Sequence, residues 1–320
     1  MNPDAYRYYQ LGRFYWSKRT RADTYQALEY FQRATQIDPK FATAYAGLAD
    51  TYMVLGGGYM TPKEAYAKGR EAAIKALQLD STLAEAFASL GYQRFIDEWD
   101  WAGADQAFQQ SIALNPNYAT AHHWYALYLA AMRRPDEAIR EIRRALELDP
   151  LSLAINQNAG FVYLQANRYE EAFQQLRKAL EINPDSEVAH GYLALGYKWK
   201  GEYPQALEEF EAARKVSGNN DAYRVGVAEI EALMGEKAPA RSTIHHLIAN
   251  RTKEPFGACS VALIYSALKD KNEAFQWLQQ AIEDRSCSAT EINNSHDLDP
   301  LRSDARFAEV RRELGLDGER

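Results

Sequence analysis

One pattern of small and apolar residues recurs along this chain at intervals of 34 positions. Ala138, Ala172 and Ala206 are separated by 34 residues each, and a bulky apolar residue follows each of them four positions later. Internal repeats of this length are typical of helical solenoids, in which each repeat is one small supersecondary unit. Because a single unit cannot bury its apolar face alone, neighbouring units must stack and bury it jointly.

The spacing within each copy predicts two antiparallel helices. Small residues, such as Ala126 and Gly160, stand where the paired helices would approach most closely, and apolar residues at intervals of three and four lie on one helical face. Asp-Pro or Asn-Pro dipeptides, ending at Pro39, Pro116, Pro150 and Pro184, close the second helix. Proline pushes the preceding residue out of the α region, so these dipeptides indicate the ends of the units.

This pattern resembles the tetratricopeptide repeat. The resemblance implies an all-α fold, a right-handed α-solenoid superhelix of helix-turn-helix units, with a C-terminal capping helix that begins near Leu301 and ends near Leu314. We expect one elongated array over residues 1–298 and a cap over 299–320. The predicted repeats are 5–41, 42–83, 84–118, 119–152, 153–186, 187–220, 221–254 and 255–285.

Three phrases suggest a narrower resemblance. Residues 45–50, 119–126 and 299–304 look like the C-terminal repeat regions of bacterial winged-helix transcriptional regulators and serine/threonine kinases. In those proteins an effector domain precedes the repeats, often with a membrane segment between. The array itself begins abruptly after Asn2-Pro3, with no polar capping helix in front, so we expect that this chain is part of a longer protein or that its array begins against another domain.

The net charge and the hydropathy of the chain limit the classes of partner that it is expected to bind. The net charge of −7 argues against a nucleic-acid groove, which usually needs a basic face. No apolar stretch approaches the length of a membrane span, so direct membrane insertion is not expected. We expect a cytoplasmic location, or an extracytoplasmic one if a membrane segment precedes this sequence. Cys259 and Cys287 form no metal-ligand pattern and are interpreted as buried or incidental thiols.

No motif predicts catalysis, a metal or a cofactor. The glycines at 56–58 lack the Lys-Ser/Thr of a phosphate loop and indicate a flexible insertion between helices. Residues 97–101 form a second irregular junction, whose carboxylates we expect in solvent and whose tryptophans we expect against the next helix. The pairs at 122–123 and 245–246 place adjacent histidines on different sides of a helix, so neither pair makes a metal site by itself.

The family resemblance also indicates where a partner binds. In tetratricopeptide repeats the first helix of each unit lines the concave face, and a few fixed positions point into that groove. The lysine, asparagine and arginine clamp that binds acidic chaperone tails is absent from these positions, so such a tail is not expected. Carried onto this chain, the groove positions give the predicted partner-binding residues Tyr9, Arg13, Trp16, Asp50, Tyr92, Phe95, His123, Gln157, Phe161, Lys198 and Trp199.

Aromatic anchors of this kind are typical of peptide and helix recognition. The alternative is that some of these rings pack against the next repeat instead. We therefore predict a non-catalytic scaffold or sensor module that binds a peptide or protein segment in its concave groove. The competing hypothesis is a regulatory or self-association domain of a larger bacterial transcription regulator or kinase.

Overall fold

The computed structural model describes residues 2–57, 59–218, 221–250 and 257–316. Within these residues the chain is almost entirely helical and contains no strand, which confirms the predicted all-α fold of repeated helix pairs. Eight successive pairs are described: α1 (Pro3–Lys18) and α2 (Arg21–Ile37), α3 (Ala42–Gly56) and α4 (Pro62–Leu79), α5 (Ala84–Gln93) and α6 (Trp101–Leu114), α7 (Ala119–Ala131) and α8 (Pro135–Leu148), α9 (Leu153–Gln165) and α10 (Tyr169–Ile182), α11 (Glu187–Lys200) and α12 (Tyr203–Val216), α13 (Asp221–Leu233) and α14 (Lys237–Asn250), α15 (Gly257–Ala267) and α16 (Lys271–Glu283).

A C-terminal segment follows the last pair. It contains α17 (Ala289–Asn294), a 3-10 helix (His296–Leu301) and α18 (Ala305–Glu313). The capping helix thus begins four residues later than the predicted Leu301, because Asp304 caps its N-terminus by accepting from the backbone N–H of Arg306 at 3.1 Å. Phe307, Val310 and Leu314 are buried and form its inward face.

The chain divides into two compact units. Unit one comprises Met1–Leu129 and Asp136–Asn158, and unit two comprises Ala130–Pro135 and Ala159–Arg320. The single elongated array predicted from the continuous repeat stays a prediction. Every helix in the described part of the chain is either too short or too polar to cross a membrane.

Close approach between paired helices explains the small residues of the repeat. A Cβ atom added to Gly47 would lie 2.4 Å from the ring of Phe31, and one added to Gly160 would lie 2.4 Å from Cγ of Leu176. Both of these large side chains are fully buried. Real atoms do not approach so closely, so glycine at these positions is required by the packing of the helix pair.

A repeated hydrogen bond closes the junctions between units. At three of the four closing prolines, Pro116, Pro150 and Pro184, the carbonyl oxygen lies within hydrogen-bond distance of a polar side chain six residues later. The pairs are His122 Nε2 with Pro116 at 3.1 Å, Asn156 Nδ2 with Pro150 at 3.0 Å, and His190 Nε2 with Pro184 at 3.3 Å. Since a carbonyl only accepts, these side chains donate.

The two histidines of this series have a second partner each. His122 Nδ1 lies 2.6 Å from Glu141 Oε2, and His190 Nδ1 lies 2.6 Å from Glu209 Oε2. Both rings are therefore fully engaged between a carbonyl and a carboxylate of the repeat itself. Their role is to hold the register between helices.

The junction near residues 97–101 differs from a simple turn. A single π-helical stretch, Arg94–Glu98, continues α5, and Asp100 then caps α6 by accepting from the N–H of Gly103 at 3.0 Å. Glu98 and Asp100 are exposed, as expected of carboxylates in solvent, and Glu98 is also paired with Arg70 at 3.3 Å. Trp101 is buried, as expected of a residue that anchors the next helix.

The glycine-rich insertion is only partly described. Gly58 lies outside the described residues, so the predicted mobility of residues 56–61 stays a prediction. Its flanks are attached to the fold: the hydroxyl of Tyr25 donates to the carbonyl of Tyr59 at 2.7 Å, and the N–H of Met60 donates to Leu55 at 2.8 Å.

The two cysteines form a disulfide. Cys259 on α15 is bonded to Cys287, 28 residues later, with their Cα atoms 5.1 Å apart, and both are buried. The interpretation as incidental thiols was therefore wrong. Helices α15 and α16 form a hairpin, which brings the two cysteine side chains together. The spacing of the cysteines in the sequence does not by itself reveal this contact. Although Glu291 lies beside them, the sulfur atoms are bonded to each other and are not free metal ligands.

Candidate functional site

The first helices of unit one form a continuous surface. Helix α3 packs against both α1 and α5, so side chains from three successive first helices lie next to one another. We call this the first-helix surface of unit one. It carries most of the predicted partner-binding residues, namely Tyr9, Arg13, Trp16, Asp50, Tyr92 and Phe95, with His123 on α7.

A buried carboxylate ties this surface together. Asp50 accepts three hydrogen bonds: from the hydroxyl of Tyr118 at 2.7 Å, from the hydroxyl of Ser89 at 2.6 Å and from Nη1 of Arg13 at 3.1 Å. We call these four residues the Arg13 cluster. Burial disfavours the charged guanidinium of Arg13, but Tyr118 and Asp50 outweigh it, so its pKa lies above the usual value.

The Arg13 cluster has a structural consequence. The side chain of Asp50 is only 1% exposed, and its oxygens are occupied by the protein's own donors. Asp50 was predicted to contact a partner, but its carboxylate instead joins α1, α3, α5 and the loop before α7. A buried carboxylate with three donors is strongly held, because removing any donor leaves charge without compensation.

Two guanidinium groups flank the indole of Trp16. The Cζ atom of Arg19 lies 3.5 Å from the ring centroid, and that of Arg13 lies 4.5 Å from it. Such cation–π contacts stabilise a cation most where water is excluded. Trp16 itself is buried, and its Nε1 has no hydrogen-bond partner among the described residues. The two guanidinium groups therefore cover the ring of Trp16 and limit the contact that a partner was predicted to make with it.

Arg19 was not among the predicted site residues. It caps the end of α1 in a left-handed conformation, with φ of 61°, and is half-buried. No carboxylate of the described residues lies within ion-pair distance of its guanidinium. Burial lowers the pKa of Arg19 to about 10, with Asp50 and Arg13 acting in opposite directions. Repeat positions do not include the residue after the first helix, so the register gave no signal for it.

The predicted aromatic residues differ in exposure. Tyr9 is half-buried beside Phe41, with ring centroids 5.3 Å apart, and Tyr92 is half-buried beside Trp124, at 4.8 Å. Phe95 is buried. For Phe95 the alternative is correct: its ring packs within the repeats and does not face a partner.

His123 is also enclosed. Its Nε2 lies 2.8 Å from Nδ2 of Asn158, which donates to it, and its ring is buried. Burial, with a contribution from Arg19, lowers the pKa of His123 to about 3, so the ring is neutral at physiological pH. Its expected direct exposure to a partner was wrong. Gln157, on α9, stays half-buried at the edge of unit one.

The predicted residues of unit two are covered by the C-terminal segment. Lys198 Nζ lies 2.6 Å from Glu229 Oε2 and 2.9 Å from Asp297 Oδ1, and the indole of Trp199 donates to the same Asp297 oxygen at 3.1 Å. We call these four residues the Lys198 cluster. Lys198 is buried, and the ring of Trp199 also packs against His296, with centroids 4.9 Å apart.

Lys198 is therefore buried, in contrast to the prediction, while Trp199 keeps part of its surface exposed although its indole N–H is already bound. Phe161 is likewise engaged, because its ring stacks on Tyr192 with centroids 4.8 Å apart. The sequence signal for this outcome lies in the acidic segment 296–299, which breaks the repeat and supplies the carboxylate that Lys198 needs.

The Lys198 cluster has unbalanced charge. Two carboxylates share one ammonium group, and Glu229 Oε1 is buried without a partner among the described residues. Burial raises the pKa of Glu229 to about 7; Asp297 raises it further and Lys198 lowers it. Burial also disfavours the charged form of Lys198, but the two carboxylates outweigh it and raise its pKa.

Unit two also contains a polar cavity of about 360 Å³. Arg133, Asn167, Asn293, His296 and Arg302 are among the residues that line it. Nδ2 of Asn293 donates to the carbonyl of Ala131 at 2.9 Å, while its Oδ1 is buried without a partner among the described residues. Besides the first-helix surface of unit one, this cavity is therefore a second candidate site, and it would bind polar groups.

Comparison with solved structures supports the fold. A structure titled as the anaphase-promoting-complex hetero-tetramer Cut9–Hcn1 aligns with a TM-score of 0.62 at 13% identity, over 91% of this chain and 52% of that one. The human IFIT1 dimer with m7Gppp-AAAA aligns with a TM-score of 0.62 at 18% identity, over 98% of this chain and 77% of that one. PilW, a type IV pilus biogenesis factor, aligns at 0.52 and 19% identity, over 65% and 95%.

Among curated proteins, the transcriptional regulator HilA of Salmonella typhimurium is 27% identical over 152 residues. The match covers 47% of this chain and 27% of HilA, so the chain spans about a quarter of that relative's length.

Models of the tetratricopeptide repeat match at residues 5–41, 107–140, 129–196, 163–224 and 258–283. These matches cover more than half of the chain. The tetratricopeptide repeat is in general a non-catalytic scaffold for protein interactions. The chain belongs to the tetratricopeptide-repeat family.

Proposed function

We propose that this protein is a non-catalytic interaction scaffold and that the first-helix surface of unit one binds a peptide or protein segment. One observation carries this proposal. In unit one, Tyr9, Arg13, Arg19 and Tyr92 keep part of their surface exposed, whereas in unit two Lys198 is buried and the indole N–H of Trp199 is already bound to the protein's own Asp297.

The chemistry of this surface suits a protein ligand. Partly exposed tyrosine and arginine side chains on a rigid wall are the residues that most often dominate protein interfaces. The Arg13 cluster holds three helices together, so the wall is preorganised and loses little entropy when a segment binds. The strongly perturbed ionisable groups, Asp50, Lys198 and Glu229, are engaged by the protein itself, which supports a structural rather than a catalytic role for them.

A capture experiment tests the proposal. The whole chain, immobilised, is used to capture proteins from a bacterial lysate, and the double variant Tyr9→Ala with Tyr92→Ala is compared with the parent. We expect the variant to lose the captured partner while its helicity is retained. The matched control is Glu71→Ala with Lys75→Ala, two exposed positions on the second helix α4. A partner lost with the α4 pair but kept with the tyrosine pair would refute the assignment.

The second candidate is a regulatory or self-association domain of a larger bacterial transcription regulator. The match to HilA favours it, because three quarters of that relative lies outside the matched region. Sedimentation velocity at several concentrations tests self-association directly. A concentration-independent monomer would remove the self-association part of this candidate.

The disulfide bears on the compartment. We infer that the repeats reside in an oxidising compartment, because disulfides persist there and are rare in the cytoplasm. This inference replaces the cytoplasmic location expected from the sequence. Alkylation of acid-quenched cells with a thiol reagent tests it: a fully alkylated Cys259 and Cys287 pair would place the repeats in a reducing compartment.

A further inference from the structure

One face of α1 is exposed, although the same face is buried in the first helices that follow it. The copies are aligned on the small residue that Gly12 provides in α1 and Ala49 in α3. In this register Arg7 and Phe14 are exposed, and Phe14 keeps 56% of its surface. Their counterparts in α3, α5, α7, α9 and α11 are all buried, namely Ala44, Ala86, Ala121, Ile155 and Ala189 for Arg7, and Thr51, Gln93, Tyr128, Val162 and Gly196 for Phe14.

In the later copies this face meets the helix pair that comes before. A Cβ atom added to Gly196 would lie 2.6 Å from the ring of Phe173, on the second helix of the preceding pair. One added to Gly226, the counterpart of the exposed Gln10, would likewise meet the ring of Phe210 on α12. The exposed face of α1 therefore occupies the position at which this fold packs one helix against another.

The chemistry of this face is complementary to itself. We call Tyr6, Gln10 and Phe14 the outer stripe of α1; all three are exposed, Tyr6 by 43%. Since the two aromatic residues lie four positions on either side of Gln10, an antiparallel copy centred on Gln10 places each Tyr6 against the other Phe14. The two amides at the centre can both donate and accept. Such a surface is what a two-fold dimer requires.

The charges of α1 favour the same arrangement. Asp4 lies in its first turn and Lys18 in its last turn. In an antiparallel pair the acidic start of each helix comes beside the basic end of the other, and the helix dipoles oppose each other. Within one copy the two groups form solvent-accessible ion pairs, Asp4 with Arg7 at 3.8 Å and Lys18 with Asp23 at 3.4 Å, and such pairs cost little to rearrange.

A head-to-tail contact would need the outer side of a last second helix. In unit two that helix is α16, and α18 packs against it. The guanidinium of Arg306 lies 4.2 Å from the ring centroid of Phe275 and donates to the side chain of Asn272 at 3.1 Å. The protein's own C-terminal helix therefore covers α16 on this side. A second copy offers its own α1 instead, and a two-fold contact closes without growing into a filament.

We propose that the outer stripe of α1 is a two-fold interface between two copies of this chain, in which the two α1 helices pack antiparallel about Gln10. The proposal rests on the second candidate function, self-association, and names its surface. It leaves the first-helix surface of unit one to the partner segment, because the outer stripe consists of other residues of α1 than Tyr9 and Arg13.

Sedimentation velocity of the whole chain at several concentrations is the first test. We expect the parent to pass from monomer to dimer as its concentration rises. Phe14→Glu should raise the dimer dissociation constant about tenfold or more, because a carboxylate then enters the centre of the interface. The matched control is Leu151→Glu, which changes another exposed apolar residue of unit one, with 77% of its surface exposed, and should dimerise as the parent does. Circular dichroism checks that the helicity of each variant is retained.

Cross-linking tests the two-fold geometry. Both native cysteines are bonded to each other, so Gln10→Cys supplies a single thiol. Two such thiols meet at the two-fold axis, and mild oxidation should join them in a dimer that reductant separates. Lys75→Cys, at an exposed position of α4, should stay monomeric under the same oxidation.

Three results would overturn the proposal: a parent that stays monomeric at every concentration, a Phe14→Glu variant that dimerises as well as the parent, or a Lys75→Cys variant that cross-links while Gln10→Cys does not. The first of these also removes self-association from the second candidate function. The other two keep self-association and move it to another surface. Partner capture by Tyr9 and Tyr92 is measured separately, so the scaffold function stands or fails independently.

Discussion

Replacing Lys198 by methionine should destabilise unit two, and the loss should depend on pH. Methionine fills a similar volume but removes the only cation of the Lys198 cluster, so Glu229 and Asp297 are left as buried neighbours of like charge. Breaking a buried ion pair by removing one partner costs about 3–5 kcal/mol. We expect a loss of that order at pH 8, where both carboxylates of the unfolded chain are ionised.

The sign of the pH dependence follows from Glu229. Its pKa is raised from 4.5 to about 7 in the folded protein, so between these values the folded state holds a proton that the unfolded state has released. The free energy of unfolding of the parent therefore falls as the pH rises from about 4.5 to about 7. At about 1.4 kcal/mol per tenfold change in proton affinity, this contribution is about 3 kcal/mol.

The two effects combine in the variant. At pH 5 the folded protein already holds Glu229 protonated, so removing Lys198 leaves only Asp297 charged and the loss should be smaller than at pH 8. Glu229→Gln should flatten the pH dependence of the parent between about 4.5 and 7, because the titrating group is gone while Asp297 still pairs with Lys198.

Urea unfolding followed by far-UV circular dichroism at pH 5, 6, 7 and 8 measures these changes. Lys200→Met is the matched control, since Lys200 lies two residues away in exposed ion pairs with Glu170 and Glu202 and should change little. A loss below about 1 kcal/mol for Lys198→Met at pH 8, or a parent whose stability rises between pH 4.5 and 7, would refute the role of the cluster.

Three further outcomes are expected. Gly160→Leu should destabilise unit two by about 1–3 kcal/mol, because its first side-chain atom would already lie 2.4 Å from Leu176; unchanged thermal unfolding would contradict this. Reducing the Cys259–Cys287 bond, which closes 28 residues of chain, should cost about 3–4 kcal/mol in unfolding experiments with and without reductant. Tyr118→Phe should cost about 1.5–3 kcal/mol through the lost bond to a charged acceptor, and an unaltered urea midpoint would show that the bond contributes nothing.

The helix pairs were predictable because the same pattern of small and apolar residues recurs in many copies along the chain. Each small residue, such as Gly160, predicts a close helix contact, and each closing proline predicts a helix end. Where one copy departs from the pattern, the other copies still indicate where its helices lie. The described helices accordingly form consecutive pairs, as the repeat predicts.

The candidate site was less predictable because it depends on contacts that do not repeat. Trp199 meets Asp297 across 98 residues, and no periodic position encodes that return of the chain. Arg19 lies just beyond the repeat positions that carry groove residues, so the register passed over it. Asp50 was placed on the correct surface, but its burial follows from donors on Ser89 and Tyr118, which only the folded arrangement brings together.

The hydrogen bond at the closing prolines also affects how such a chain can change in length. At these junctions the proline carbonyl and its donor side chain are six residues apart, and the junctions recur with the repeat. The hydrogen bond is therefore repeated once per period. Removing residues 117–150 would place Asn156 six positions after Pro116, in the spacing that His122 occupies now. A gain or loss of whole periods by recombination therefore keeps a donor for each of these carbonyls, whereas an insertion or deletion between a proline and its donor would remove it.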